Sequence, residues 1–454
     1  MAIVLGPCCI TRVWVDGMVR IHPLQELQKQ FCIIDIHGDI RVLNCGQIDQ
    51  ALNGDYEGDI SFYKRQDAEL MMKRCLENLP VSSKVKAEIA SFWVDPVTIM
   101  YTQTAFNPNS TAPTTLNYWV GHTVFPKPNS SKVIEDYLLE VICDHDVVSY
   151  QYLLGFLAHM LQCPNEKPGV MPVLIGSQGT GKGVFFQLLD AIWSKTTLLV
   201  SDVNEVVGQF NAGLERNYIV CMDEALFSGD KRSSDKLKSV VTESTIRIQQ
   251  KYQPSRSIKS FHRFFAATNH DQFAITERDD RRFFFLRVSS QHKQDTAFFK
   301  QLCDSFRDGK TLEGFVAFLL NYDLTDFNVR ERPQTSEHSN QKIKSLEKFD
   351  RYWHEVLING HFEDNEQRIP WSDGQFISTH DLGSFYKNHD RYADRYGAVQ
   401  SNYITEAVHR LCPSAAPQRK SVSKNQRRGF NLPSIQVARE DFTRQCSLKI
   451  TWNN

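Results

Sequence analysis

Residues 171–193 read MPVLIGSQGTGKGVFFQLLDAIW, and this stretch decides the fold. An apolar run typical of a buried strand leads into a glycine-rich turn and then an amphipathic helix. The glycines let the backbone turn tightly enough to aim N–H groups at an anion, while the helix N-terminus and Lys182 add positive electrostatic potential. The pattern therefore predicts a phosphate-binding loop. Its residues are Gly176, Ser177, Gln178, Gly179, Thr180, Gly181, Lys182 and Gly183.

The residue after the loop lysine departs from the usual pattern. A Ser or Thr commonly follows that lysine, and its hydroxyl helps to hold Mg²⁺, but here the position is Gly183. With ATP and Mg²⁺ as the expected cofactors, we predict that carboxylates and water hold the ion instead.

Two further apolar runs end in polar residues suited to this chemistry. YIVCM ends in Asp223 and Glu224, and RFFAAT ends in Asn269. Ligands of open α/β sheets gather at the carboxyl ends of the strands. We therefore assign Asp223 to the metal, Glu224 to activation of the attacking water, and Asn269 to orienting that water or sensing the γ-phosphate. The alternative for the acid pair is the start of a helix that follows a strand.

Strand-like and helical runs alternate from residue 172 to residue 289, which predicts an α/β fold with a mainly parallel sheet covered on both faces. The segments on either side of this core differ from it in composition and in predicted secondary structure, and these differences set the expected domain boundaries. We expect an N-terminal α+β region at 1–115 and a helical segment at 116–169, whose helical spacing of apolar residues is interrupted near Cys143 to Val147. The core with trailing helices follows at 170–327, then a polar linker at 328–345 and a C-terminal unit at 346–454.

Five motifs in this order resemble superfamily 3 helicases, specifically the helicase portion of primase-helicase proteins from phages, plasmids and large DNA viruses. They are GSQGTGKG (176–183), FNAGLERNYIVCMDEA (210–225), KLKSVVTESTIRIQQKY (236–252), FFAATNH (264–270) and DDRRFFFLRV (279–288). The resemblance implies an AAA+-type P-loop ATPase that forms a ring, usually a hexamer, and moves 3′ to 5′ on DNA. The acids Asp35 and Asp39 do not form the pattern of a priming site, so we expect no primase domain.

In such rings an arginine from one subunit completes the nucleotide site of its neighbour. The resemblance implies that this residue is Arg281 or Arg282, with Arg278 a further candidate. A guanidinium suits the role because it makes bidentate contact with developing phosphoryl charge. Solvated arginines at the start of a strand are the alternative.

The runs IRIQQKY and SIKSFHRFF, joined by QPSR, predict a β-hairpin. In the similar helicases, the hairpin at this position grips single-stranded DNA in the central channel. Lys251, Arg256 and Lys259 would supply charge for phosphates, and Tyr252 would supply a ring for stacking. A solvated surface hairpin is the alternative.

The C-terminal unit combines a helix capped near Ser378, a second helix from about Asn402 to Cys412, and a basic hairpin, which together indicate a winged-helix-like domain. The basic stretch contains no acid and is expected to contact duplex DNA or an origin, unless it is only a solvated loop. Its cations are Arg419, Lys420, Lys424, Arg427 and Arg428.

The overall composition is that of a soluble protein with no general attraction to polyanions. The 454 residues carry a formal net charge of −1, so contact with DNA requires local basic patches. The chain contains 11 cysteines without a CxxC pair, and it has no apolar run long enough to span a membrane. Both observations favour a cytoplasmic location. The cytoplasm would be that of a bacterial host if a phage or mobile element encodes the protein.

The expected function is ATP-driven DNA unwinding during replication of a mobile element. The expected partners are single-stranded and forked DNA, further copies of the chain, and a primase or replication initiator, with no membrane partner. Two alternatives stay open: an origin-binding or loading ATPase, and an AAA+ remodeller of proteins.

Overall fold

The computed structural model describes residues 13–15, 18–20, 22–36, 38–53, 60–77, 85–109, 111–224, 231–251, 255–271, 273, 280–364, 367–389, 400–422, 425–448, 450 and 452. Three predicted site residues, Tyr252, Arg278 and Lys424, lie outside these ranges. Within them, no helix is both long and apolar enough to cross a membrane.

The N-terminal region is a small α+β unit, as its short strand-like runs predicted. Its main sheet has the order β4-β3-β5, in which the buried run FCIIDI forms the central strand β3. Helices pack their apolar residues against one face of this sheet. The elements are β1 (Val13–Val15), β2 (Met18–Arg20), α1 (Pro23–Gln30), β3 (Phe31–Ile36), β4 (Asp39–Asn44), α2 (Cys45–Asn53), α3 (Arg65–Glu77), α4 (Val85–Val94), β5 (Met100–Tyr101), β6 (Gln103–Ala105) and β7 (Thr115–Asn117).

A helical segment follows, and it breaks where the sequence predicted an interruption. Helix α5 (Lys132–Asp136) runs into a π-helical turn (Tyr137–Ile142), and α6 (Val147–Gln162) begins after Asp146, whose side chain caps it by accepting from the backbone N–H of Val148. The segment is apolar on nearly all sides and is buried against the central sheet.

The central unit is a five-stranded parallel sheet with the order β14-β8-β13-β10-β9. Four of its strands are almost wholly buried, because helices cover both faces and these strands consist mainly of apolar residues. The edge strand β9 is partly exposed, with Leu199 the most exposed of its residues. The strands are β8 (Met171–Ile175), β9 (Thr197–Val200), β10 (Ile219–Met222), β13 (Arg263–Thr268) and β14 (Phe283–Arg287). The remaining elements are α7 (Lys182–Ile192), α8 (Asn204–Val207), a 3-10 turn (Ala212–Arg216), α9 (Lys231–Thr242), β11 (Thr245–Ile248), β12 (Arg256–Lys259), α10 (Thr296–Arg307) and α11 (Lys310–Leu320).

The predicted hairpin between β10 and β13 is confirmed. Strands β11 and β12 pair antiparallel, with Ile246 opposite Ile258. The base of the hairpin is fixed by a buried polar cluster, in which Lys167 donates to the carbonyl oxygens of Val240 and Glu243 near the end of α9 and to the hydroxyl of Ser260.

Residues 328–345 differ from the linker that their polar composition predicted. Residues Ser336–Lys344 form a helix, α12, which Thr335 caps by accepting from the backbone N–H of His338. Most of its polar side chains are buried against the central sheet and are hydrogen-bonded there. Ile343 is the single large apolar residue of α12, whose packing relies on hydrogen bonds and an ion pair. Apolar periodicity therefore could not predict this helix.

The C-terminal unit has its own hydrophobic core and a three-stranded antiparallel sheet with the order β17-β19-β18. The predicted cap at Ser378 is present, since its hydroxyl accepts from the backbone N–H of Asp381. The elements are α13 (Lys348–Asn359), β15 (His361–Asp364), β16 (Gln367–Pro370), β17 (Phe376–Ser378), α14 (Thr379–His389), α15 (Ser401–Leu411), β18 (Ala416–Val422), β19 (Asn425–Asn431) and α16 (Ile435–Gln445).

Candidate nucleotide-binding site

The glycine-rich loop joins β8 to α7 at the carboxyl edge of the central sheet. Gly179 and Gly181 have φ values of +78° and +97°, a region that side-chain-bearing residues rarely adopt. Gly181 is the residue that precedes α7, and a Cβ atom there would lie 2.5 Å from the Phe299 ring. The N-terminus of α7 thus directly follows the loop, and the N–H groups of the first turn of a helix favour an anion there.

Two residues distant in sequence brace this loop, and no sequence pattern pointed to either. The hydroxyl of Tyr137, from the π-helical turn, donates to the carbonyl oxygen of Gly181 at 2.9 Å. The backbone N–H of Gln294, which follows β14, donates to the carbonyl oxygen of Gly179 at 2.9 Å. The loop conformation is thus held by its neighbours as well as by its glycines.

Lys182 lies at the centre of the site, with 7% of its surface exposed. Its Nζ donates to the carbonyl oxygens of Gly176 (2.7 Å) and Ser177 (2.9 Å) and to Oδ1 of Asn269 (2.8 Å). Burial lowers the pKa of Lys182, and the carboxylates of Asp223 and Glu224 act in the opposite direction. An arriving phosphate would offer this ammonium group better acceptors than neutral carbonyl oxygens.

The acid pair, Asn269 and the lysine lie along one edge of the sheet because β10, β13 and β8 are consecutive parallel strands. Nδ2 of Asn269 lies 3.5 Å from Oε1 of Glu224, at the limit of hydrogen-bond distance. Glu224 has a φ of +54°, and its backbone N–H donates to Oδ1 of Asp223. A non-glycine residue in this conformation typically costs about 1–3 kcal/mol and is often found at functional sites.

Gly183 lies in the first turn of α7, and a Cβ atom added there would meet no heavy atom within 4 Å. The absence of a hydroxyl at this position is therefore not imposed by crowding. Among the described residues of the site, Asp223 and Glu224 carry the carboxylate oxygens that Mg²⁺ prefers.

The structure separates the two described candidate arginines from the site of their own chain. Both precede β14 and lie at the amino edge of the sheet, and β14 spans roughly 13 Å from Phe283 to the carboxyl edge at Arg287. Nη1 of Arg282 lies 3.7 Å from the buried carboxylate of Asp280. Arg281 is exposed.

The predicted DNA-binding residues of the β11–β12 hairpin differ in what surrounds them. Lys251 and Lys259 are exposed. Arg256 forms an ion pair with Glu215. At the hairpin base, the Ser260 hydroxyl lies 3.0 Å from Nδ1 of His262, whose Nε2 lies 2.7 Å from the carbonyl oxygen of Leu214.

The basic hairpin of the C-terminal unit places like charges opposite one another. Arg419 pairs with Arg428 and Lys420 with Arg427 across β18 and β19. Directly opposed like charges destabilise an antiparallel pair unless an anion lies between or beside them. Arg427 is partly neutralised by Asp381 at 2.7 Å, while the other three cations are exposed.

Comparison with known proteins gives three findings. Residues 174–282 match a family of unknown function, DUF5906. The chain is 28% identical to a DNA primase-polymerase of Nitratiruptor phage NrS-1 over 218 aligned residues. These residues make up 46% of this chain and 29% of that protein. The chain thus spans less than a third of the length of this relative.

The third finding concerns solved structures. The apo C-terminal region of NrS-1 (residues 305–718) superposes with a TM-score of 0.60 at 17% identity, over 90% of this chain and 99% of that structure. A second apo structure of the same region gives a TM-score of 0.59 at 16% identity. Nearly the whole chain therefore shares the fold of that region.

Proposed function

We propose that this chain is an ATP-hydrolysing DNA translocase of the superfamily 3 type, which acts in replication of a phage or related mobile element. The observation that carries the proposal is the hydrogen bond between Lys182 Nζ and Asn269 Oδ1, with Glu224 beside the same amide. The side chains of Lys182, Glu224 and Asn269, which follow three neighbouring strands, thus lie beside one another. Phosphoryl transfer requires this set of groups around a terminal phosphate.

Each residue has a role that follows from its place in the site. The loop amides bind phosphate oxygens, and Lys182 exchanges its carbonyl partners for the β and γ phosphates. Asp223 holds Mg²⁺ together with water, since Gly183 offers no hydroxyl, and the bound ion would neutralise phosphate charge. Glu224 accepts the proton of the attacking water, which Asn269 orients.

The order of the central sheet supports an AAA+-type core. Counted along the chain, its strands run fifth, first, fourth, third and second, so the strand that carries the glycine-rich loop lies between β14 and β13. The C-terminal unit, with α13, α14, α15 and the β18–β19 hairpin, supports the winged-helix-like assignment. The proposed domains are therefore those expected from the sequence, with α12 in place of the linker.

The position of the arginines supports action between subunits of a ring, which we propose to be a hexamer. Arg281 is the better candidate of the two described residues, because Arg282 lies against the carboxylate of its own Asp280, whereas Arg281 is exposed. If Arg281 of one subunit contacts the nucleotide of the adjacent subunit, ATP hydrolysis is coupled to movement between the two subunits.

The two basic hairpins supply the DNA contacts of the proposed motor. Lys251 and Lys259 on the first hairpin are exposed to a passing single strand, whereas the second hairpin suits duplex phosphates at a fork or origin. The phage relative named a DNA primase-polymerase supports a task in DNA replication. A primase or replication initiator acting beside this chain in the host cytoplasm would fit that task.

The test is ATP hydrolysis by the full chain with and without single-stranded DNA, combined with unwinding of a forked duplex. Lys182→Ala and Glu224→Gln should each lower kcat at least about 100-fold and abolish unwinding. Lys73→Ala, at an exposed lysine on α3, is the matched control and should leave both activities unchanged.

Two outcomes would replace the proposal. Turnover that is indifferent to DNA would indicate a remodeller of proteins. Tight, sequence-specific duplex binding with hydrolysis but no strand separation would indicate an origin-binding or loading ATPase.

A further inference from the structure

The turn that follows Asn269 contains Asp271 and Phe273, and α12 holds it through two side chains. Nζ of the partly exposed Lys344 donates to the carbonyl oxygen of Asp271 at 2.9 Å. Gln341 is fully buried. Its Nε2 donates to the carbonyl oxygen of Asp271 at 2.6 Å, and its Oε1 accepts from the backbone N–H of Phe273 at 3.0 Å. One amide thus satisfies an acceptor and a donor of the same turn, which fixes which way the amide faces.

A charged network fixes Gln341 in turn. Its Nε2 also donates to Oε1 of the buried Glu337 at 2.8 Å, and Oε2 of Glu337 accepts from Nε of Arg287 at 2.9 Å. Nη1 of Arg287 then reaches the Asp271 carboxylate at 3.2 Å. The network therefore closes on the same turn, and its members come from β14, α12 and the segment after β13.

The turn lies two residues from the amide that contacts both the loop lysine and the acid pair. Because β13 ends at Thr268, the position of Asn269 depends on the backbone that follows it. A shift of Asp271 and Phe273 should therefore weaken the contacts of Asn269 with Lys182 and Glu224. A displacement of about 1 Å in a catalytic constellation can lower the rate on the order of 100-fold.

We propose that Gln341 is a positioning residue, which acts through its hydrogen bonds to Asp271 and Phe273 to hold Asn269 between Lys182 and Glu224. This role rests on the proposed ATPase function. Gln341 touches no reacting group itself, and its effect should therefore appear in the chemical step more than in the binding of the nucleotide.

The experiment compares Gln341→Ala and Gln341→Glu with Ser336→Ala, at an exposed residue at the start of the same helix. The glutamate keeps an acceptor for Phe273 but loses the donor to Asp271 and faces the Glu337 carboxylate. For both substitutions at Gln341 we expect kcat to fall about 10–100-fold, with KM for ATP changed less than about 3-fold. Ser336→Ala should match the wild type.

Hydrogen exchange of the turn gives a readout that does not depend on hydrolysis. In both Gln341 variants the amides of residues 269–273 should exchange at least about 10-fold faster, while those of β8 stay protected. A double variant, Glu337→Gln with Gln341→Glu, restores an amide–carboxylate pair and should recover part of both losses.

Three results would overturn the proposal: unchanged kcat in a folded Gln341→Ala variant, a rise in KM alone, or unchanged exchange at 269–273. If the wild type hydrolyses no ATP, the proposed function fails. Hydrogen exchange then still decides whether Gln341 holds the turn.

Discussion

Two glycines in one loop, Gly181 and Gly183, should respond in opposite ways to the same substitution. In Gly181→Ala, the new side chain must adopt a φ of +97°, which costs about 1–2 kcal/mol for an L-residue. Its Cβ would also lie 2.5 Å from the Phe299 ring, and such overpacking costs about 1–3 kcal/mol. We expect the free energy of unfolding to fall by about 2–5 kcal/mol.

Gly183→Ala is the matched control, because the added Cβ meets nothing within 4 Å and the position is helical. Replacing a helical glycine by alanine stabilises by about 0.4–1 kcal/mol. The two variants should therefore differ by about 2.4–6 kcal/mol, although they lie two residues apart and gain the same methyl group.

Urea unfolding of both variants, with calorimetric titration of an ATP analogue, measures the difference. Gly181→Ala should also lose most nucleotide affinity, since the Gly181 carbonyl that Tyr137 fixes would be displaced. A Gly181→Ala protein as stable as the wild type, or a Gly183→Ala protein destabilised to the same degree, would refute this explanation of the loop.

Three other perturbations test separate parts of the molecule. Burial lowers the pKa of His262 from 6.5 to about 4, so the unfolded chain takes up a proton that the folded chain resists. The destabilisation that His262 contributes should be absent above pH 6.5 and should reach about 3 kcal/mol as the pH drops towards 4. Because burial also lowers the pKa of His338 and His354, the test is the difference between wild type and His262→Gln, whose free energy of unfolding in urea should depend less steeply on pH over this range. Arg281→Ala should abolish ATPase stimulation by DNA but retain ATP binding, while Arg282→Ala should act mainly by destabilising the fold; equal ATPase losses in two equally stable variants would contradict this. Joint substitution of Arg419 and Arg428 by alanine should weaken duplex binding. It should also reduce the slope of log affinity against log salt concentration by about 1 for each phosphate that these arginines neutralise, which binding titrations at several salt concentrations measure. An unchanged slope would exclude these residues from the DNA interface.

Several features of the fold could be predicted from the sequence because they depend on local patterns. The alternation of apolar strands with helices predicted the parallel sheet, and the runs around QPSR predicted the β11–β12 hairpin. The break between α5 and α6 and the helix cap at Ser378 were also visible. Each of these follows from residue periodicity or from side-chain groups within a few positions of each other.

The linker prediction failed for a physical reason. Helix α12 is built from polar residues, and its burial is compensated by partners that lie far away in sequence, such as Arg287 for Glu337. Helix prediction from sequence relies on apolar residues at helical spacing. It contains no information on hydrogen bonds that a distant strand supplies.

The sequence by itself determined the candidate residues of the site: a glycine-rich loop with Lys182, an acid pair and an asparagine, each at the end of an apolar strand. Only the tertiary structure decided how these side chains meet, because the order of strands in a sheet is not encoded in any one of them. It also distinguished Arg281 from Arg282 through the buried Asp280. Only the structure showed the hydrogen bonds of Tyr137 to the glycine-rich loop and of Gln341 to the turn after Asn269. Hydrogen bonds between distant segments form only once the whole chain has packed.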